Sequence, residues 1–196
     1  MRKFSLIFIT TLSLTLNSHT QAATQAKQCQ NLFDEELWQK ALSACTVSAK
    51  AGEASSQSLL GEIYDNKKNS EKAAHWWKLA ANAGYQPARN LLASKYYYGG
   101  SVFSSEEGWP QDLSKAFNIW HEDAEKGIAT SQFMIGVMYH KGEGVAQNHA
   151  EAWFWLKLAL QNKYKLATDV LIELSREISP EQKKLGMQKL VNYNNK

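Results

Sequence analysis

The sequence is poor in several things that would have pointed elsewhere. No Asn-Gly or Asp-Gly dipeptide occurs, so the hairpin-turn signals of a β protein are missing. A penicillin-recognising serine enzyme needs Ser-x-x-Lys, in which the amine shares a turn of helix with the nucleophile. No such tetrad occurs, and Gly-x-Ser-x-Gly, the elbow of many serine hydrolases, is missing as well. Long apolar runs are scarce: the candidate membrane segment, Phe4 to Leu16, has thirteen uncharged residues, whereas a spanning helix needs about 20. Charge of one sign is not in excess either, with 22 Lys plus Arg against 19 Asp plus Glu.

The amino terminus accounts for part of that small basic surplus. Arg2 and Lys3 precede the apolar stretch, polar residues follow from Asn17 to Gln21, and Ala22 and Ala23 offer the small side chains that a signal peptidase accepts. We expect a cleaved export signal over residues 1–23, with cleavage near Ala22 or Ala23. The remaining 24–196 reads as one repeat domain, periplasmic or secreted, with no stable membrane anchor. Cys29 follows Ala26, Lys27 and Gln28, and a charge two residues before the cysteine does not suit lipid attachment. Without the leader, Lys plus Arg falls to 20 against 19 acidic residues. Binding to nucleic acid draws on clustered basic charge, so that partner class is not expected.

Cys29 and Cys45, sixteen positions apart, would meet an oxidising compartment after export. We expect them to pair, a closure contributing roughly 3 kcal/mol in the chain-entropy model. The alternative leaves Cys45 as a small buried apolar residue and Cys29 unpaired.

The chain repeats itself. Gly52, Gly84, Gly127 and Lys163 serve as anchors spaced 32, 43 and 36 residues apart, each preceded at eleven positions by an alanine: Ala41, Ala73, Ala116 and Ala152. Seven and eight positions after the anchors stand Leu59 and Leu60, Leu91 and Leu92, Met134 and Ile135, Val170 and Leu171. Gly61, Ala93, Gly136 and Ile172 follow, then Tyr64, Tyr96, Tyr139 and Ser175. Repeats of this length indicate a solenoid. Apolar spacing of three and four predicts first helices near 35–51, 70–83, 112–126 and 148–162, and second helices near 54–65, 87–98, 131–141 and 166–178. Asp112 and Asn148 are suited to N-caps, the anchor glycines to the left-handed residue past a helix end, and Pro87 to a first turn. A last helix over 180–192 reads as a cap. The fold class is therefore all-α, four helix-pair units (35–65, 70–98, 112–141, 148–178) that bury their apolar stripes only by stacking on one another.

Tyr139-His140-Lys141-Gly142-Glu143-Gly144-Val145-Ala146-Gln147-Asn148, followed by Ala152 and Trp155, resembles the signature of the SEL-one-like repeat (SLR) family, relatives of the tetratricopeptide repeats. Ala73, Trp76, Trp77, Leu79, Ala80, Ala81 and Gly84 match the helix that follows. The resemblance covers roughly 35–178. It implies an alpha-alpha superhelix whose members serve mainly as scaffolds and adaptors. Exported bacterial members are associated with envelope, host-contact and secretion-accessory roles, and a cysteine-rich subset carries a penicillin-binding or beta-lactamase-like label. That subset has a disulfide in every repeat, whereas this chain has two cysteines in all. Two connections also depart from the pattern. Tyr64 to Ala73 is 9 residues and Tyr96 to Ala116 is 20, against 13 from Tyr139 to Ala152.

No catalytic residue, cofactor or metal is expected. His140 and His149 flank a connection, His75 and His121 lie on different first helices, and His121 with Glu125 makes only two ligands on one face where zinc takes three or four. Most of the tryptophans, Trp76, Trp77, Trp120 and Trp155, fall on adjacent repeat positions and read as core. The candidate partner-binding residues are Lys72, His75, Lys115, Asn118 and His121, a polar stripe on the first helices that would line the concave face of a superhelix; the alternative is an ordinary solvated face. Phe103 and Trp109, with Val102, lie in the insertion over 99–111, where they either fold back or meet a partner. The expected function is an exported scaffold or adaptor for a protein or peptide partner. Neutralising (immunity) partner of a secreted toxin and beta-lactamase-like or cell-wall-acting enzyme are the alternatives.

Overall fold

The computed structural model describes residues 21–99 and 109–195. The first twenty residues of the expected leader, and Val102 and Phe103 of the insertion, lie outside the described residues. Among the described residues the regular structure is helical throughout, with no strand: α1 (21–34), α2 (Trp38–Lys50), α3 (Ala54–Asn66), α4 (Ser70–Asn82), α5 (Gln86–Tyr98), α6 (Leu113–Glu125), α7 (Ala129–Lys141), α8 (His149–Gln161), α9 (Ala167–Leu174) and α10 (Pro180–Asn194). No helix among them is long and apolar enough to cross a membrane.

The local signals explain where these helices start and stop. Asn69, Asp112 and Asn148 each accept backbone N–H groups of the following turn, so orphan donors at the starts of α4, α6 and α8 are satisfied. Ser179 and Gln182 form a reciprocal capping box at α10, with Pro180 in its first turn. All four anchors take positive φ, from 69° at Lys163 to 97° at Gly52, so Lys163 adopts the left-handed conformation that the other units give to glycine.

The chain divides into two compact units, to Leu92 and from Ala93, where the repeat register alone reads as one continuous domain. In the first, α2, α3 and α4 pack in succession around Ala41, Cys45, Ala49, Leu60 and Ile63. The helix α1 was not expected. It brings Cys29 against Cys45 in a disulfide with Cα atoms 4.7 Å apart, so the pairing expected from the sequence is present. In the second unit α6, α7, α8 and α9 pack in succession, with Trp120, Ile135, Met138, Trp155 and Leu158 at the centre. One expectation needs adjusting here: the helix α9 ends at Leu174 rather than near 178. The helix α10 packs on α8, the first helix of the last pair.

Within each unit one steric rule sets the distance between helices. A Cβ placed on Gly61 would lie 2.5 Å from the Trp77 ring, and one on Gly136 would lie 2.6 Å from Leu156 Cγ. Trp77 and Leu156 stand seven residues before their anchors, so the glycine nine after one anchor receives the side chain seven before the next. The Trp77 ring is also fixed by its Nε1–H, which donates to the Ser58 carbonyl at 3.1 Å. A buried amide repeats alongside: Gln57 donates to Ala49 O and Gln132 to Ala124 O, both at 3.1 Å.

Two measurements test this account. Thiol titration of the unfolded chain without reductant should find no free thiol, and replacing Cys29 and Cys45 together by alanine should lower the unfolding free energy by about 3 kcal/mol. Gly136→Ala should destabilise by about 1 to 2 kcal/mol in chemical denaturation, because overpacking against Leu156 outweighs the better helix propensity of alanine; a neutral result would show that the approach is not tight.

Candidate binding groove

The connections that set the first helices in place share one closure. The backbone N–H of the N-cap residue donates to the carbonyl of the repeat tyrosine: Asn69 to Tyr64 at 2.9 Å, Asp112 to Tyr96 at 2.8 Å and Asn148 to Tyr139 at 2.9 Å. The two longer connections agree further. Gln111 Nε2 donates to Tyr97 O and Gln147 Nε2 to His140 O, both at 2.8 Å, so the insertion leaves the flanking geometry of the regular connection intact.

That equivalence settles Trp109. It stands three residues before its N-cap, where the regular connection has Val145. Its ring is 6% exposed and meets Tyr96 edge-on, centroids 5.5 Å apart. Trp109 is therefore buried in the core, as in the fold-back alternative; Phe103 remains outside the described residues. Tyr97 beside it donates to the Glu143 carboxylate, and burial, with that bond second, holds its hydroxyl well above the ordinary 10.0.

The stripe residues divide between the two units. Lys72 and His75 are exposed on α4; the Lys72 ammonium lies 5.2 Å from the Tyr64 ring centre, and His75 meets Trp76 edge-on. On α6, Lys115 lies 5.4 Å from the Tyr96 ring centre while its ammonium pairs with the capping carboxylate of Asp112 at 2.8 Å. This pair holds the Asp112 carboxyl below the usual carboxylate range. Lys115 is thus engaged at the start of α6. Asn118 is exposed on the same helix.

His121 has a more enclosed setting. It lines a groove of about 490 Å³ with Glu125, Tyr139, Glu151, Trp155 and Tyr193 among its walls. Its ring packs edge-on to Trp155 with centroids 5.6 Å apart, and its Nδ1 lies 3.9 Å from Glu125. Lys189 of α10 pairs with Glu151 at 2.6 Å, and Tyr193 meets Phe154 at 5.9 Å between centroids. Burial, and then the Glu151 charge, raise the Tyr139 hydroxyl above its ordinary range, so it remains protonated and able to donate. Rings with polar edges, two carboxylates and an ammonium are what a groove needs to hold a peptide side chain and orient it.

Sequence reasoning found His121 but missed Glu151, Lys189 and Tyr193. Glu151 stands twelve residues before its anchor, the position of Lys72 and Lys115, so the register could have supplied it. Lys189 and Tyr193 reach the groove because α10 docks on α8, and no repeat position encodes that.

Comparison with known proteins agrees with this geometry. A family model described as the Sel1 repeat matches residues 54–85 and 129–164, the stretches that carry α3 with α4 and α7 with α8. A protective antigen of uropathogenic Escherichia coli strains, described as displaying an SLR fold, superimposes with a TM-score of 0.68 at 26% identity, over 81% of this chain and 33% of that one. Over those two stretches the chain matches the Sel1 repeat, and its fold is similar to the SLR fold. A Sel1 repeat protein from Oxalobacter formigenes aligns with a TM-score of 0.56 at 27% identity, over 67% of this chain and 97% of its own. Among curated relatives, a chitin synthase regulator of Saccharomyces cerevisiae is 28% identical over 63% of this chain. A chitin synthase regulatory factor of Schizosaccharomyces pombe is 30% identical over 64% of it. The chain spans only 18% and 14% of those two proteins' lengths. SEL-one-like repeat proteins are generally protein-interaction scaffolds, and the fold is typically non-enzymatic. The helices α5 and α6 and the connection between them fall outside the matched stretches.

The Tyr97 environment gives a pH dependence. A hydroxyl whose pKa is raised on folding stabilises the fold fully below its unfolded value and loses that contribution as pH rises above it. Stability should therefore fall above pH 10.0, and Tyr97→Phe should flatten that decline in denaturation curves recorded between neutral and alkaline pH. An equally steep decline in the variant would assign the loss to other groups.

Proposed function

We propose that this chain is an exported scaffold that holds a protein or peptide partner, and that the groove between α6, α8 and α10 is where the partner inserts a side chain. The observation carrying the proposal is the groove itself, in which Tyr139, Phe154, Trp155 and Tyr193 surround a space edged by Glu125 and Glu151. Aromatic walls favour a bulky apolar side chain, since such residues dominate interface energetics. With Glu151 paired to Lys189, the exposed Glu125 carboxylate favours a basic residue beside it. The scaffold role of SEL-one-like repeats supports the reading, as do relatives named as regulators of an enzyme.

Export is supported by the basic start, apolar stretch and small residues of 1–23. The Cys29–Cys45 disulfide supports it independently, because such bonds persist in oxidising compartments. Together they favour a periplasmic or secreted site of action.

Crosslinking in an envelope extract followed by affinity capture should recover a defined partner with the unaltered chain. Recovery should fall at least about tenfold with Glu125→Lys combined with Tyr193→Ala, a loss of the size that removing one interface anchor produces. The melting temperature should change little, because Glu125 is 63% exposed at its side chain and Tyr193 is 37% exposed. Undiminished recovery would remove the groove from the interface. Retention of the unprocessed chain in the cytosol would refute export.

A further inference from the structure

The connection between the third and fourth helix-pair units does something that the other two do not. The Asn148-to-Tyr139 hydrogen bond brings the residue after the tyrosine and the residue after the N-cap side by side. In this connection those residues are His140 and His149, and their rings lie 5.7 Å apart between centroids. The equivalent pairs are Asp65 with Ser70 and Tyr97 with Leu113. Because α9 stops at Leu174, the turn after it delivers Glu177 to the same place. Glu177 Oε2 lies 3.8 Å from His140 Nδ1 and 3.7 Å from His149 Nε2.

We infer that His140, His149 and Glu177 form a binding site for one divalent transition-metal ion of the zinc class. His140 is 6% exposed, and its Nδ1 and the Nε2 of His149 are both buried with no hydrogen-bond partner. A buried polar atom left without a partner calls for an explanation, and an ion is one of the few available. Both nitrogens face the same carboxylate from beyond hydrogen-bonding range, and the three donor atoms all lie within 4.8 Å of one another. Ligands around tetrahedral zinc, at about 2.0 to 2.2 Å from the metal, are about 3.3 to 3.6 Å from each other. The Glu177 distances need a contraction of a few tenths of an ångström, within reach of side-chain rotation at Glu177, which is 49% exposed; the two imidazole nitrogens, within 4.8 Å of each other, close by up to about 1.2 to 1.5 Å through rotation of their own rings.

The donor chemistry selects the metal. Two imidazole nitrogens and one carboxylate oxygen suit zinc and its neighbours, whereas calcium and magnesium take oxygen ligands. Three protein ligands leave a fourth position on the exposed side of Glu177 for water. The ion ties α7, the start of α8 and the turn before α10 together, so its binding stabilises the carboxy-terminal part of the second unit.

Calorimetric titration of the full-length chain with zinc alone should give one ion per chain and a raised melting temperature. His149→Ala and Glu177→Gln should each weaken binding by at least about tenfold, the lower end of what loss of even an outer partner of a metal site costs, and should abolish the zinc-dependent rise in melting temperature. Glu177→Gln should leave the metal-free circular dichroism and melting temperature unchanged, which separates loss of a ligand from loss of fold. Absence of saturable one-to-one binding would overturn the assignment. Binding that persists undiminished in both variants would overturn it equally, by placing the ion on other donors.

Discussion

The backbone hydrogen bond from the N-cap amide to the carbonyl of the repeat tyrosine is the constraint on which the rest of the molecule depends. It closes connections of three different lengths at nearly the same distance, 2.8 to 2.9 Å, and so fixes where each first helix begins relative to the second helix before it. With the start fixed, the side chain seven before the anchor falls opposite the small residue nine after the previous one. The approach of Trp77 to Gly61 and of Leu156 to Gly136 follows. An insertion then costs little beyond its own closure entropy, which grows slowly with length. The second connection accordingly keeps both flanks of the regular one around seven additional residues.

Much of the fold was legible because its determinants are local. Asp112 and Asn148 declared helix starts, the anchors declared helix ends, and the alanine, leucine and tyrosine spacings declared which faces meet. The parts that were not legible depend on what lies outside the register. The helix over 21–34 has no repeat partner in sequence, and its pairing with α2 is carried by Cys29, Leu32 and Phe33 against the first core. For Trp109 the sequence left folding back and partner contact both open, because the insertion hid its equivalence to Val145. Lys163 stands where the other three anchors are glycine, and it takes a φ of 69°, a left-handed conformation that its side chain disfavours.

The candidate groove shows the same division. His121 came from the repeat pattern, whereas Lys189 and Tyr193 came from α10, whose docking on α8 is set by shape. Gly186 lets that helix approach closely, since a Cβ there would lie 2.9 Å from both the Ala150 carbonyl oxygen and the Trp153 ring. A pattern of residue types along one chain cannot announce which face a non-repeating helix will choose.

Charge at one register position carries the argument one step further. Twelve residues before the anchor, Lys72 and Lys115 lie near the rings of Tyr64 and Tyr96, where a cation is attracted to the aromatic face. In the fourth helix-pair unit the same position is Glu151, whose charge adds to burial in raising the pKa of the Tyr139 hydroxyl and is met by Lys189 from the terminal helix. The backbone geometry is shared by the three, and the sign of the charge is not. A repeat that holds position constant while letting charge vary carries chemically distinct side chains on similar supports. Specificity can then reside in single side chains without any change to the packing beneath them.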